Sequence, residues 1–153
     1  MERNVFVWRS NVHGYGLFAR KNMTPGDIIC LYSGSRRKAD QVTGDFVCDI
    51  HGDPSQKIDG RDLDNYSGRW INHSITPNAR LCNPLDNRLL RCHKRRVAII
   101  VECVKPIMQC EEIFIDYGKH YFTREDGTLD MNYFYSTGMK FSTKDKQLLL
   151  FSW

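Results

Sequence analysis

The chain has 153 residues, with 41% hydrophobic and 26% charged side chains; this balance builds one domain with a real core and excludes a disordered chain. No apolar run is long enough to cross a bilayer, and Met1-Glu2-Arg3-Asn4 lacks the layout of a secretory leader. The formal net charge of +4 is modest, and its distribution says more than its size.

In chain order, the reading is mostly short strands. Val5 to Trp8 and Tyr15 to Arg20 are the first two candidates. Thr24-Pro25-Gly26-Asp27 is a turn, and Ile28 to Tyr32 is a third strand. Phe46 to Ile50 alternates apolar and polar residues, as a half-buried strand does, and His51-Gly52-Asp53-Pro54 breaks it. Residues 62–70 read as a short helix or 3₁₀ piece. Asn83-Pro84-Leu85-Asp86-Asn87 is a turn. Leu89 to Cys92 and Val97 to Val101 form a hairpin around His93-Lys94-Arg95-Arg96. Ile113 to Tyr117 is a late strand ending at Gly118, and Thr143 to Phe151 a C-terminal helix. Many short strands with turn punctuation predict a mainly β architecture of small sheets with few short helices.

Six cysteines (Cys30, Cys48, Cys82, Cys92, Cys103 and Cys110) include no CxxC or CxC pair. Cys30 lies inside an apolar run, so the set reads as buried free thiols in a reducing compartment, with no zinc site. Residues 40 to 64 hold seven aspartates against Lys57 and Arg61, a local charge of −5. An acidic face of that kind would steer a basic ligand. Arg88, Arg91, Lys94, Arg95 and Arg96 form a basic cluster. It reads as a solvated loop, so direct nucleic-acid binding is not expected.

Two stretches carry the chemistry. The first is Arg69-Trp70-Ile71-Asn72-His73-Ser74-Ile75-Thr76-Pro77-Asn78. The second is Glu112-Ile113-Phe114-Ile115-Asp116-Tyr117-Gly118. An Asn-His pair in a short apolar strand is poor core material, because both side chains carry polar atoms that must be satisfied. His13-Gly14-Tyr15-Gly16 alone is a tight turn, and Tyr32 alone is a strand-end aromatic. Together and in this order they resemble the motifs of SET-domain protein lysine methyltransferases. The long stretch is similar to the family's RFINHSCxPN, the second to its ELxxDY, and Tyr32-Ser33-Gly34 to its YxG. Ile58-Asp59-Gly60-Arg61 fits the element that precedes the Asn-His strand there.

The resemblance covers roughly residues 4 to 122. It implies a SET domain over 4–118, with a pseudoknot that brings Asn72-His73 beside Tyr117, and an aromatic-rich segment over 119–153 packed on it. It implies S-adenosylmethionine as methyl donor, contacted by His13, Gly14, Tyr15, Gly16, Arg69, Asn72, His73, Tyr117 and Phe122. Tyr117 and Tyr32 are the implied catalytic residues, and Tyr32, Phe46, Ile115 and Tyr117 the implied walls of the lysine channel. A basic histone tail is the implied substrate and the nucleus the implied location. A non-histone substrate and a silent peptide-binding module stand as alternatives.

The sequence departs from the family at Ile75, where many members have cysteine, and in having no cysteine from 111 to 153. Both halves of the family's C-terminal zinc site are thus missing, and no metal is expected. Phe122 and the other tail aromatics (Tyr121, Tyr133, Phe134, Tyr135, Phe141, Phe151, Trp153) are candidates to close the channel instead, or simply to pack on the sheet. Ile115 stands where family members often place Phe or Tyr, which leans toward di- or trimethylation.

Overall fold

The computed structural model describes residues 2–44, 46–50, 53–61, 67–82, 90–93, 96–128 and 130. Strands dominate, and the helical pieces among the described residues are single 3₁₀ turns. One sheet begins with an antiparallel hairpin of β1 (Val5–Arg9) and β2 (Tyr15–Ala19), in register from Val5↔Ala19 to Arg9↔Tyr15. The other groups β3 (Ile28–Lys38), β4 (Val47–Asp49), β5 (Gln56–Asp59), β7 (Ala79–Leu81) and β9 (Arg96–Cys103) in the order β4-β5-β3-β9-β7, with β8 (Leu90–His93) also against β9.

The remaining strands, β6 (Asn72–His73) and β10 (Glu112–Ile115), complete the first sheet in the order β1-β2-β10-β6. β10 runs antiparallel to β2 but parallel to β6, with Phe114 opposite Asn72 and Ile115 opposite His73. A parallel pair needs a long crossover, and here that connection carries β7, β8 and β9 into the second sheet. The mainly β architecture read from the sequence is the one observed.

One core joins the sheets. Leu17 of β2, Ile29 of β3, Ile58 of β5, Ile71, Val101 of β9 and Ile113 of β10 are all essentially inaccessible and belong to it. β3 is buried without alternation from Ile29 to Gly34. Its Cys30 and Tyr32 enter this core, while Leu31 joins a smaller cluster with Ala98 and Ile100. Both of its faces are covered, which explains the continuous apolar run in its sequence.

Some elements reach further than their local sequence signals. β3 continues to Lys38 because β5 pairs its polar end, Ser35↔Asp59 through Lys38↔Gln56. β5 and β7 carry no readable signal, being too short and mixed to show a period of two. Of the helical reading over 62–70, a 3₁₀ turn is present at Gly68–Trp70, and residues 62–66 lie outside the described set. The turn at 83–87, the helix at 143–151 and the tail aromatics from Tyr133 onward also lie outside it. None of Cys30, Cys48, Cys82, Cys103 and Cys110 is in a disulfide; Cys30 and Cys103 are buried, as the sequence reading has it, whereas Cys48, Cys82 and Cys110 are only partly buried.

Part of the acidic stretch is ion-paired in the fold. β3 and β5 bring cations to the aspartates: Arg36 meets Asp53 at 2.9 Å, Lys57 meets Asp49 at 3.4 Å, and Arg61 clasps Asp59 at 2.7 Å. Arg36 lies outside the 40–64 stretch and so escapes its local charge. Of the seven aspartates, Asp49, Asp53 and Asp59 are thus paired, and Arg36 is the one cation that comes from outside the stretch.

Candidate active site

The parallel pairing of β6 and β10 builds the centre of the site. It sets Tyr117, just past the end of β10, against His73. The Tyr117 backbone N–H donates to His73 Nδ1 at 3.0 Å. Nδ1 is therefore an acceptor, which assigns the ring's proton to Nε2. The Tyr117 hydroxyl donates to the Ile71 carbonyl. Tyr117 is thus tied at both ends to the segment Ile71–His73.

Gly118 takes a left-handed φ of 80°, which glycine adopts without strain, and reverses the chain into the 3₁₀ turn Lys119–Phe122. Phe122 then packs at 4.5 Å from the His73 ring and is 5% exposed. Tyr121 meets Tyr117 edge-on at 4.7 Å and stays partly open to solvent. Of the first tail aromatics, Phe122 thus packs on His73 and Tyr121 on Tyr117.

Asn72 answers the burial question differently from the expectation. Its Nδ2 donates at 3.0 Å to the carbonyls of His13 and Tyr15 and to Glu112 Oε1. The protein itself satisfies this amide. Gly14 needs its glycine for backbone reasons, with φ at 48° and open space where a side chain would be. Gly16 needs its glycine for packing: a Cβ there would lie 2.1 Å from Glu112 Oε1. The expected reason, close approach of main chain to a ligand, is not the one that the contacts at Gly16 supply.

Asn78, at the end of the same long motif, works as a surrogate strand. Its Nδ2 donates to the Glu112 carbonyl at 2.9 Å, and its Oδ1 accepts from the Phe114 N–H at 2.8 Å. The side-chain amide thus copies a peptide group along β10. Sequence reasoning gives Asn78 and Glu112 no role of their own. Their local sequence carries no signal of this; only their burial in the fold singles them out.

A second wall lies around Trp70. Tyr15 meets Trp70 edge-on at 6.0 Å, and Phe46 does so from its own side at 5.9 Å. The Arg69 guanidinium stacks over Trp70 at 5.2 Å and donates to the Gly60 carbonyl at 3.3 Å. Tyr32 is buried, and its hydroxyl would lie 3.1 Å from a Cβ placed on Gly60. Burial above all, and then Cys48, Tyr117, Asp59 and Tyr121, hold the Tyr32 phenol well above its ordinary value of 10.0. Tyr32 is thereby within electrostatic reach of Tyr117 and Tyr121. Ile115 points into the main core, with Tyr117 packed against that core's edge.

The sequence-read residues therefore gather from five separate segments: 13–16, Tyr32, Phe46, 69–73 and 115–122. The SET-domain family model matches residues 14–118. The chain belongs to the SET-domain family.

The human histone-lysine N-methyltransferase 2B is 27% identical over 122 residues, which span 74% of this chain and 4% of that protein. The structure of KRYPTONITE in complex with mCHH DNA, an H3(1–15) peptide and SAH is similar with a TM-score of 0.63. It is 24% identical over 83% of this chain and 26% of that one. A humanized mutant of the Chaetomium thermophilum Polycomb Repressive Complex 2, bound to the inhibitor GSK126, has a TM-score of 0.59. The match is 23% identical and covers 75% of this chain and 15% of that one. The chain thus spans only a small part of these relatives, and the structural likenesses speak to the SET fold.

Proposed function

We propose that this SET domain is a protein lysine N-methyltransferase that uses S-adenosylmethionine and acts on a histone tail. The observation that carries the reading is the double tether of Tyr117 to Ile71 and His73, which joins the two family motifs in one site. Two relatives, one a histone-lysine methyltransferase and one crystallised with a histone peptide, support the same reading.

The residues fit the methyl donor by their chemistry. The donor carries an amino acid end, a purine and a positive sulfur. The Arg69 guanidinium suits a carboxylate, the turn at His13–Gly16 offers main-chain groups to an ammonium, and the His73–Phe122 pair offers aromatic surface to a purine. Asn72 holds that turn. When bound, the donor supplies an electrophilic methyl group.

The chain's own part is to prepare the acceptor. A lysine amine has an ordinary pKa of about 10.4 and must lose its proton before it can attack. Tyr32, Phe46 and Tyr117 form the proposed channel, whose apolar walls disfavour the ammonium and release the proton to water. The Tyr32 phenol stays neutral, so it can hydrogen-bond the amine but carries no charge to hold the ammonium. Tyr117 is fixed in position by its two bonds and aligns the reacting groups. Alignment and preorganised dipoles supply most of the acceleration. A nuclear location follows from a histone substrate.

A non-histone substrate is the second reading, favoured by the pairing of Asp49, Asp53 and Asp59 with nearby cations, which weakens the pull on a basic tail. The test is methyl transfer from labelled donor to a core-histone mixture and, in parallel, to a lysate depleted of histones. Labelling of a histone band supports the first reading. Labelling confined to the depleted lysate supports the second, and none in either sinks the enzyme.

A further inference from the structure

The β1–β2 reversal is held together on one side by its own atoms. Ser10 Oγ accepts from the Val12 N–H at 3.0 Å and the His13 N–H at 3.2 Å, and the Ser10 N–H donates to the Gly14 carbonyl at 2.8 Å. On the other side the His13 and Tyr15 carbonyls depend on the Asn72 amide from another part of the chain.

An amide nitrogen carries two protons, yet three acceptors surround Asn72 Nδ2 at 3.0 Å each. The two carbonyls favour the NH₂ on their side, because a flipped Oδ1 would face them with mutual repulsion. The third acceptor is Glu112 Oε1, and Glu112 is 2% exposed. The Glu112 oxygen, held from β10, adds the one side-chain contact on the amide NH₂ and so helps to hold the amide in this orientation. Gly16 completes the arrangement by leaving the carboxylate its space.

We infer that Glu112 is a positioning residue for methyl-donor binding: its buried carboxylate orients the Asn72 amide, which shapes the turn at residues 13–16. The inference rests on the proposed use of S-adenosylmethionine. It assigns Glu112 no contact with donor or substrate. It also explains why Gly16 and Glu112, far apart in sequence and near neighbours across β2 and β10, belong together.

The test compares wild type with Glu112→Ala, Glu112→Gln, Gly16→Ala and the double variant Gly16→Ala/Glu112→Ala. Two readouts are taken: calorimetric affinity for S-adenosylmethionine, and amide hydrogen exchange of residues 10–16 without donor. Glu112→Ala should lose turn protection and weaken the donor by roughly 10- to 100-fold, the range of a lost buried hydrogen bond. Glu112→Gln keeps an acceptor oxygen and should recover most of both. Gly16→Ala should lose both, and the double variant, which also lacks the Glu112 oxygen, should be no better protected than Glu112→Ala. Should the alanine variant not fold, Glu112→Asp withdraws the carboxylate by one methylene and should lose protection in the same direction.

Wild-type turn protection in a folded Glu112→Ala or Glu112→Asp would overturn the inference. Equal losses in the Gln and Ala variants would overturn it too, since packing rather than the acceptor would then be responsible. A wild-type chain that fails to bind the donor removes the functional reading instead, and the exchange data still decide the role of Glu112.

Discussion

The backbone N–H of Tyr117 donates to Nδ1 of His73 at 3.0 Å, across a gap of 44 residues in sequence. This bond makes His73 a structural acceptor before it is anything else. It also makes the position of Tyr117 depend on the tautomer and rotamer of one buried ring. A change at either residue is therefore felt at the other.

Replacement of Tyr117 by Phe removes the hydroxyl bond to Ile71 but keeps the ring and the backbone bond. Methyl transfer should fall by about 100-fold or more, the usual cost of one preorganised polar group in a reacting site. Donor affinity should stay within a few-fold. Steady-state rates together with calorimetric donor binding check the split.

His73→Ala leaves the Tyr117 N–H without its acceptor and opens a cavity against Phe122. The two costs together should destabilise the fold by about 3 kcal/mol. Urea unfolding followed by tryptophan fluorescence measures this. A change below about 1 kcal/mol would mean that the ring is not held as described.

Cys48 lies near Tyr32, yet burial pushes its thiol up to about 12 from 9.0. Its thiolate fraction at pH 8 should be roughly a thousand-fold below that of a free cysteine. Iodoacetamide should leave Cys48 unmodified in the folded protein and label it rapidly after unfolding. Peptide mapping of the two states reads the difference.

Asp59 is held below its ordinary value of 3.8, first by the side-chain hydrogen bonds of Arg61. A depressed carboxyl binds its proton more weakly when folded, so it stabilises the fold above the unfolded value. That contribution shrinks as the pH drops below 3.8 and is gone once the folded value is passed. The stability difference between wild type and Asp59→Asn should therefore be full at neutral pH and shrink below about pH 4. Urea unfolding at stepped pH checks the sign, and a difference that grew in acid would contradict it.

Much of the site is legible in the sequence because its polar residues sit in unlikely company. Asn72 and His73 stand out as costly to bury, whereas Tyr117, ordinary at a strand end, is singled out only by the resemblance of its motif to the family's. Phe122 is legible as an aromatic just past the motif, and it does pack on His73. The reason for Gly16 is not legible. Glycine looks the same whether it makes room for a ligand or for Glu112, and only the antiparallel register of β2 and β10 tells them apart. The Arg36–Asp53 ion pair is hidden for the same reason, since the two residues lie 17 apart in sequence and Arg36 sits on a strand paired with β5. Strands of two or three residues, such as β6 and β7, carry too little periodicity to be read without their partners.

The most direct test of the central claim is mass spectrometry of histone-tail peptides incubated with S-adenosylmethionine and either the wild type or Tyr117→Phe. The account predicts methylated lysine with the wild type, extending to di- or trimethyl forms, and almost none with the variant, although both bind the donor. Equal methylation by the two proteins would contradict it, because Tyr117 would then not stand at the reacting centre.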